Sequence, residues 1–197
     1  MPSAQNMLND LTYGQSESDA KLGETILYIA SKDENCGGTR LNKILWKADQ
    51  QAFAKLKKSI TDAQYMREKF GPVPRHLKRV QDRLIAERDI FIRPDSVYGR
   101  PRNLVVAMRD ADLDVFSPWE VAILDAVIEE ERGKTARQMS DESHGRAWEI
   151  AGENGAFIPY EACAISDEPM DSFDIALAEQ IAAECGWDYA SSDSGRE

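Results

Sequence analysis

Apolar and polar positions follow a helical period along much of the chain, most clearly between residues 40 and 53. In the run R-L-N-K-I-L-W-K-A-D, residues 40–49, Leu41, Ile44, Leu45, Ala48 and the following Ala52 fall at i, i+3, i+4, i+7 and i+11. They make one apolar helical face, with Lys43, Lys47 and Gln50 expected to turn outward. Thr39 is the expected N-cap, and Lys55, Lys57 and Lys58 suit the C-terminus of a helix ending at about Phe53 or Lys57. An earlier helix is predicted after Ser18, with Leu22, Ile26, Ile29 and Ala30 on one side, closing before Cys36-Gly37-Gly38. A third carries Leu77, Val80, Leu84 and Ile85 inward, with Arg75, Lys78, Arg79, Arg83 and Arg88 as its exposed complement.

Between the second and third helices lies F-G-P-V-P-R, residues 70–75. Gly71 leaves the backbone free to turn, while Pro72 and Pro74 fix φ and push the residues before them toward extended geometry, so a rigid corner is expected. Ile90 to Ile92 and Leu104 to Ala107 read as a β-hairpin over about 89–108, with a long tip through Pro94 and Pro101. Phe116-Ser117-Pro118-Trp119-Glu120-Val121 holds a capping box on Ser117 and Glu120, with Phe116 and Val121 placed for a hydrophobic staple. The helix it starts should reach about Glu131. Short helices are predicted from Thr135 to Ser143 and between Gly145 and Gly152, and a last one, capped by Ser172, holds Ile175, Leu177, Ala178 and Ile181. The fold class is therefore mainly α (α+β): one compact helical domain, residues 18–185, of about six to eight helices with a small antiparallel hairpin. A flexible segment, residues 1–17, is expected before it and a disordered acidic tail, residues 186–197, after it.

Composition narrows the setting. The chain has 197 residues, 42% hydrophobic and 30% charged, enough for one sizeable core. No basic leader precedes an apolar run and no stretch approaches the roughly 20 apolar residues a membrane helix needs, so a cytoplasmic protein without a membrane partner is expected. Cys36, Cys163 and Cys185 are too few and too far apart for a disulfide framework or a paired metal motif. The net charge of −11 is unevenly spread: residues 39–103 carry 16 basic and 7 acidic groups, whereas residues 104–197 carry 6 and 22. Such a division means either complementary faces within the fold or surfaces of opposite sign offered to partners.

The candidate chemistry is sparse. His76 and His144 belong to no metal-ligand pattern, no phosphate-binding glycine motif or nucleophile elbow occurs, and neither a cofactor nor a metal is expected. His144 with Asp141, Glu142 and Cys163 could form a hydrolase-like group. The competing reading pairs His144 with Trp148, four residues on, in a packed and hydrogen-bonded setting. Trp46, Phe53, Tyr65 and Phe70 interleave with the basic block as a nucleic-acid surface would, but the acidic C-terminal half opposes a phosphate backbone. A non-enzymatic protein-binding surface fits better: Lys43, Trp46, Lys47, Gln50, Phe70, Pro72, Val73, Pro74 and Arg75 gather aromatic and cationic groups around a rigid corner. For Trp46, Phe70, Pro72 and Val73 the alternative is that they lock one helix to the next.

The order and spacing of these motifs resemble the Panacea, or SocA-like, antitoxin domain. In that family a K-L-N-K-L-L-Y-F-A-D-like helix is followed by an I-T-G-like turn and then Y-G-P-V-P. The counterparts are Arg40 to Asp49, Ile60-Thr61-Asp62 and Phe70 to Pro74, with Ser143-His144, Trp148 and Ile158-Pro159-Tyr160 matching later positions. Trp46-Lys47 departs from the usual aromatic pair, and Asp62-Ala63 from the usual glycine. By this resemblance Leu41, Asn42, Leu45, Asp49, Gly71, His144 and Trp148 are structural. The implied function is an antitoxin that neutralises the protein encoded by the adjacent gene through direct binding. The alternatives are a proteolytic adaptor that delivers the toxin to a cytosolic AAA+ protease and, from another class, a DNA-binding autoregulator.

Overall fold

The structure is a computed structural model that describes residues 17–97 and 99–164, together with the isolated positions 176 and 180. The chain divides into two units, residues 1–165 and 166–197. The expected flexible start apart from Glu17, the helix after Ser172 apart from Ala176 and Gln180, Cys185 and the acidic tail lie outside the described residues.

The first unit is mainly α with a smaller β part, as expected from the periodicity. Six α-helices are present among the described residues: α1 (Glu17–Lys32), α2 (Gly38–Leu56), α3 (Leu77–Ala86), α4 (Pro118–Glu130), α5 (Ala136–Glu142) and α6 (Arg146–Ile150). None is long and apolar enough to cross a membrane. β1 (Tyr65–Glu68), β2 (Gly71–Pro74) and β5 (Phe157–Ile158) form an antiparallel sheet in the order β2-β1-β5, and β3 (Ile90–Val97) pairs with β4 (Arg100–Ala107).

Helix α2 is the hub. Its Leu41, Ile44 and Leu45 are fully buried beside Leu22, Ile26 and Ile29 of α1, and Leu124 and Val127 of α4 join the same core. The helix contacts α1, α4, α5, β2 and the 3-10 turn Tyr160–Ala164. That crowding overturns the outward placement of Lys43, Lys47 and Gln50. An apolar stripe shows which side of a helix is buried, not that the opposite side is free, and here further elements cover the flanks: Lys43 is buried, Lys47 and Gln50 half-buried.

The start of α2 also differs from expectation. Gly37, not Thr39, is the N-cap, with no side-chain cap bond, because the preceding loop is tied to the hairpin. Val105 N–H donates to the Cys36 carbonyl at 2.8 Å and Gly37 bridges Leu104. Arg40 then fastens this end, pairing with Asp33 and donating to the carbonyls of Glu131 (2.9 Å) and Lys134 (3.1 Å). At the other end Lys57, in the left-handed region at φ 57°, stops the helix where the lysine run predicts.

The hairpin lacks a long tip. Its ladder runs from Ile90↔Ala107 to Val97↔Arg100, which leaves only two positions between the strands. Prolines at 94 and 101 lie within the ladder, which a two-stranded ribbon with open edges tolerates. The Ser117 capping box is present, with Glu120 N–H bonding the Ser117 hydroxyl at 3.3 Å and Ser117 N–H bonding the Glu120 carboxylate at 2.7 Å. Thr135 and Gln138 form a second box that opens α5.

Candidate functional site

Asp49 organises the signature region from the inside. It lies fully buried on α2, and its carboxylate accepts the backbone N–H groups of Ile60 and Thr61, each at 2.8 Å, the Thr61 hydroxyl at 2.5 Å and the Tyr65 hydroxyl at 2.8 Å. Burial pushes this carboxyl upward, and the surrounding hydrogen bonds pull against that shift. The Ile60-Thr61-Asp62 segment is thus a turn wrapped on a carboxylate. Asp62 adopts φ 52°, the left-handed conformation for which glycine is the least strained residue. Its N–H meets the Ser59 hydroxyl at 3.2 Å, so the departure from glycine keeps the turn.

An aromatic layer closes over Asp49. Trp46 meets Tyr65 edge-on at 4.8 Å, and Phe53 stacks on Tyr160 at 5.3 Å. Tyr160 donates to the Ala63 carbonyl at 2.7 Å, which explains the I-P-Y motif as a clasp returning the chain to α2. These aromatics serve packing rather than display, and Trp46 is buried.

The F-G-P-V-P corner is held from beneath by Lys43. Its ammonium donates to the Phe70 carbonyl, which also accepts the Ser140 hydroxyl at 3.0 Å. Burial pushes the Lys43 amine down to about 8. Gly71, at φ 104°, is required twice: the backbone is left-handed, and a Cβ there would overlap both the Lys43 ammonium and the Ser143 hydroxyl. What the pattern reads as a kink is a strand, with Met66 opposite Val73, Arg67 opposite Pro72 and Glu68 opposite Gly71. Two prolines in four residues conceal it, although an edge strand accommodates them.

The Ser143-His144 and Trp148 motif brackets the same corner. The His144 and Trp148 rings lie 4.2 Å apart, Trp148 Nε1 donates to the Glu68 carbonyl at 3.1 Å, and the Arg67 guanidinium sits 3.6 Å from the Trp148 ring centre. The stack forms although His144 precedes α6 rather than belonging to it. His144 Nε2 is buried without a hydrogen-bond partner among the described residues, contrary to the expected satisfied bond. Burial, with Lys43 nearby, holds the imidazole below its ordinary value.

The sequence-selected residues therefore separate. Pro72 and Pro74 are buried and Val73 is half-buried, while Lys47 reaches Glu130 at 2.7 Å and the buried Glu131 at 2.5 Å. A cleft of about 70 Å³ between Lys43, Gln50, Met139 and Ser143 has room for water, not for a ligand of substantial size. Of the nine candidates only Phe70, at 66% exposure, and Arg75 face solvent fully. Sequence reasoning missed Phe157, exposed and directly across from Met66, with the Arg75 guanidinium 5.6 Å from its ring centre. Lys69 lies 5.5 Å from the Phe70 ring. The outward part of the corner is thus aromatic with cations beside each ring.

The sequence model of the family described as "Antitoxin SocA-like, Panacea domain" matches residues 41–149, more than half of the chain. The matched range contains the Asp49 turn, the Lys43 and Gly71 interlock and the His144 and Trp148 stack, and it stops before the Tyr160 clasp. No curated protein and no solved structure matches the chain. The chain belongs to the SocA-like antitoxin family that carries the Panacea domain, and this membership supports an antitoxin role.

Proposed function

We propose that this protein neutralises a protein toxin, the product of the adjacent gene, by direct binding in the cytoplasm, and that Phe70, Arg75 and Phe157 form the contact. One observation carries the placement: Phe70 projects into solvent from a corner whose own carbonyl is tied down by Lys43 and Ser140. An exposed aromatic on a fixed backbone loses little freedom when a partner closes over it, the condition that favours an interface anchor. The adjoining Lys69 and Arg75 suit an acidic partner surface.

The action is binding, not catalysis. Burial pushes the Cys163 thiol up to about 11, away from the thiolate a nucleophile needs. The His144 ring stacks on Trp148, with its centre 4.2 Å from the indole.

Co-expression with the neighbouring open reading frame tests the reading. Rescue of growth and recovery of a complex are expected. Phe70→Ala and Arg75→Glu should each weaken that complex by about tenfold or more while leaving the melting temperature nearly unchanged, since exposed substitutions usually alter stability by under about 0.5 kcal/mol. A harmless neighbour that forms no complex would remove the proposal. Toxin half-life separates simple neutralisation, where it is unchanged or lengthened, from the adaptor alternative, where it shortens. A mobility shift on the chain's own promoter would instead favour the autoregulator.

A further inference from the structure

The segment joining β4 to α4 carries a second surface of opposite character. Met108, Leu113, Val115 and Trp119 are exposed within twelve residues, Trp119 at 72% and Met108 at 62%. Asp110, Asp112 and Asp114 are interleaved with them, also exposed, and none forms an ion pair among the described residues. Large apolar groups singly exposed need no explanation, but four on one short segment with three unpaired carboxylates do.

The segment is not a loose loop. Arg109 clamps Glu24 with two bonds at 2.7 and 2.9 Å and reaches Asp89 at 2.9 Å, and Glu24 also accepts the Asp112 N–H at 2.8 Å. Asp112 caps the 3-10 turn Leu113–Val115 through the Asp114 N–H at 3.0 Å. Phe116 is buried 6.1 Å from Tyr28, and the Ser117 box fixes the backbone on either side of Trp119. The fold thus presents these side chains on a backbone anchored at both ends.

We infer that this ridge docks a cationic amphipathic segment of a partner polypeptide. Three exposed carboxylates accept hydrogen bonds and carry negative charge, so cationic donors are the groups that complement both properties. The same charge repels nucleic-acid phosphates and anionic lipid surfaces, leaving a Lys- or Arg-bearing peptide whose apolar side covers Leu113, Val115 and Trp119. This surface belongs to a different segment from the Phe70 corner, carries the opposite charge, and does not depend on the toxin reading.

The test uses the full chain and a synthetic amphipathic peptide of leucine and lysine, with a leucine and glutamate peptide of the same pattern as control. Binding is followed by calorimetry and by the tryptophan emission, in which the Trp119 component shifts to shorter wavelength. Trp119→Phe should remove that component. Trp119→Ala, and separately the triple change Asp110→Asn, Asp112→Asn and Asp114→Asn, should each weaken binding by about tenfold or more. The triple variant should also flatten the salt dependence. Asn at 112 keeps a capping oxygen, and melting curves confirm that each variant is folded. Phe70→Ala should leave peptide binding unchanged, which separates failure here from failure of the toxin interface. The inference is overturned if the wild-type chain ignores the lysine peptide, if the glutamate peptide binds equally, or if folded variants bind like wild type.

Discussion

At the scale of single residues, Lys43 changes role most between sequence and structure. Its position on the helix places it outside the apolar stripe, yet it is buried and bonded to Phe70. A base with a lowered folded-state value binds its proton less well in the native state than in the unfolded chain. Its cost is therefore present in full below about pH 8 and relieved as pH rises toward 10.5. Wild type should gain stability relative to Lys43→Met across that window. Chemical denaturation of the two proteins at several pH values checks this, because the difference cancels the opposing titrations of buried Tyr65 and Cys36, whose values burial raises. A flat difference would mean that the amine keeps its ordinary value in the fold, despite its burial.

At the scale of elements, legibility followed whether the determinants were local. The Ser117 box was readable because its partners are three residues apart, and the structure reproduces both bonds. Ser117→Ala should cost about 1 kcal/mol, measured by urea denaturation, from loss of the cap to the Glu120 N–H. The start of α2 was misread because Cys36 and Gly37 are claimed by β4, almost seventy residues away. The β2-β1-β5 sheet was hidden for the same reason: four-residue strands carry little periodicity, and their pairing with Phe157 and Ile158 is non-local. Among site residues, Gly71, Asp49 and Trp148 all make contacts inside the fold. The exposure of Phe70 and Arg75 could be separated from the burial of Lys43, Trp46, Pro72 and Pro74 only once the elements that flank α2 were in place.

At the scale of the whole chain, the segregated charge acquires two local meanings. Around α2 the cations are largely consumed: Lys47 and Lys134 surround the buried Glu131, and Arg40 bonds Asp33 and two carbonyls. The basic block is thus in part an internal counterweight to the acidic α4 and α5 region, which is the complementary-faces alternative. Among the cations that stay exposed are Lys69 and Arg75 beside the corner, and among the carboxylates the three aspartates of the ridge. Association with the toxin should consequently be faster at low ionic strength, with the salt effect mainly in the on-rate and largely lost in Arg75→Glu. Stopped-flow mixing at two salt concentrations measures it. An unchanged slope would place the electrostatic contact elsewhere.

Phe70 is one residue with two addresses. Its ring stands in solvent while its carbonyl is fastened to a lysine in the central helix, so a partner that grips the ring also loads the hub of the fold. The glycine that follows leaves no space for a side chain between them. A force or a bound mass at the corner is therefore passed to α2 instead of being absorbed by a yielding turn, and recognition at the surface becomes a mechanical matter for the core.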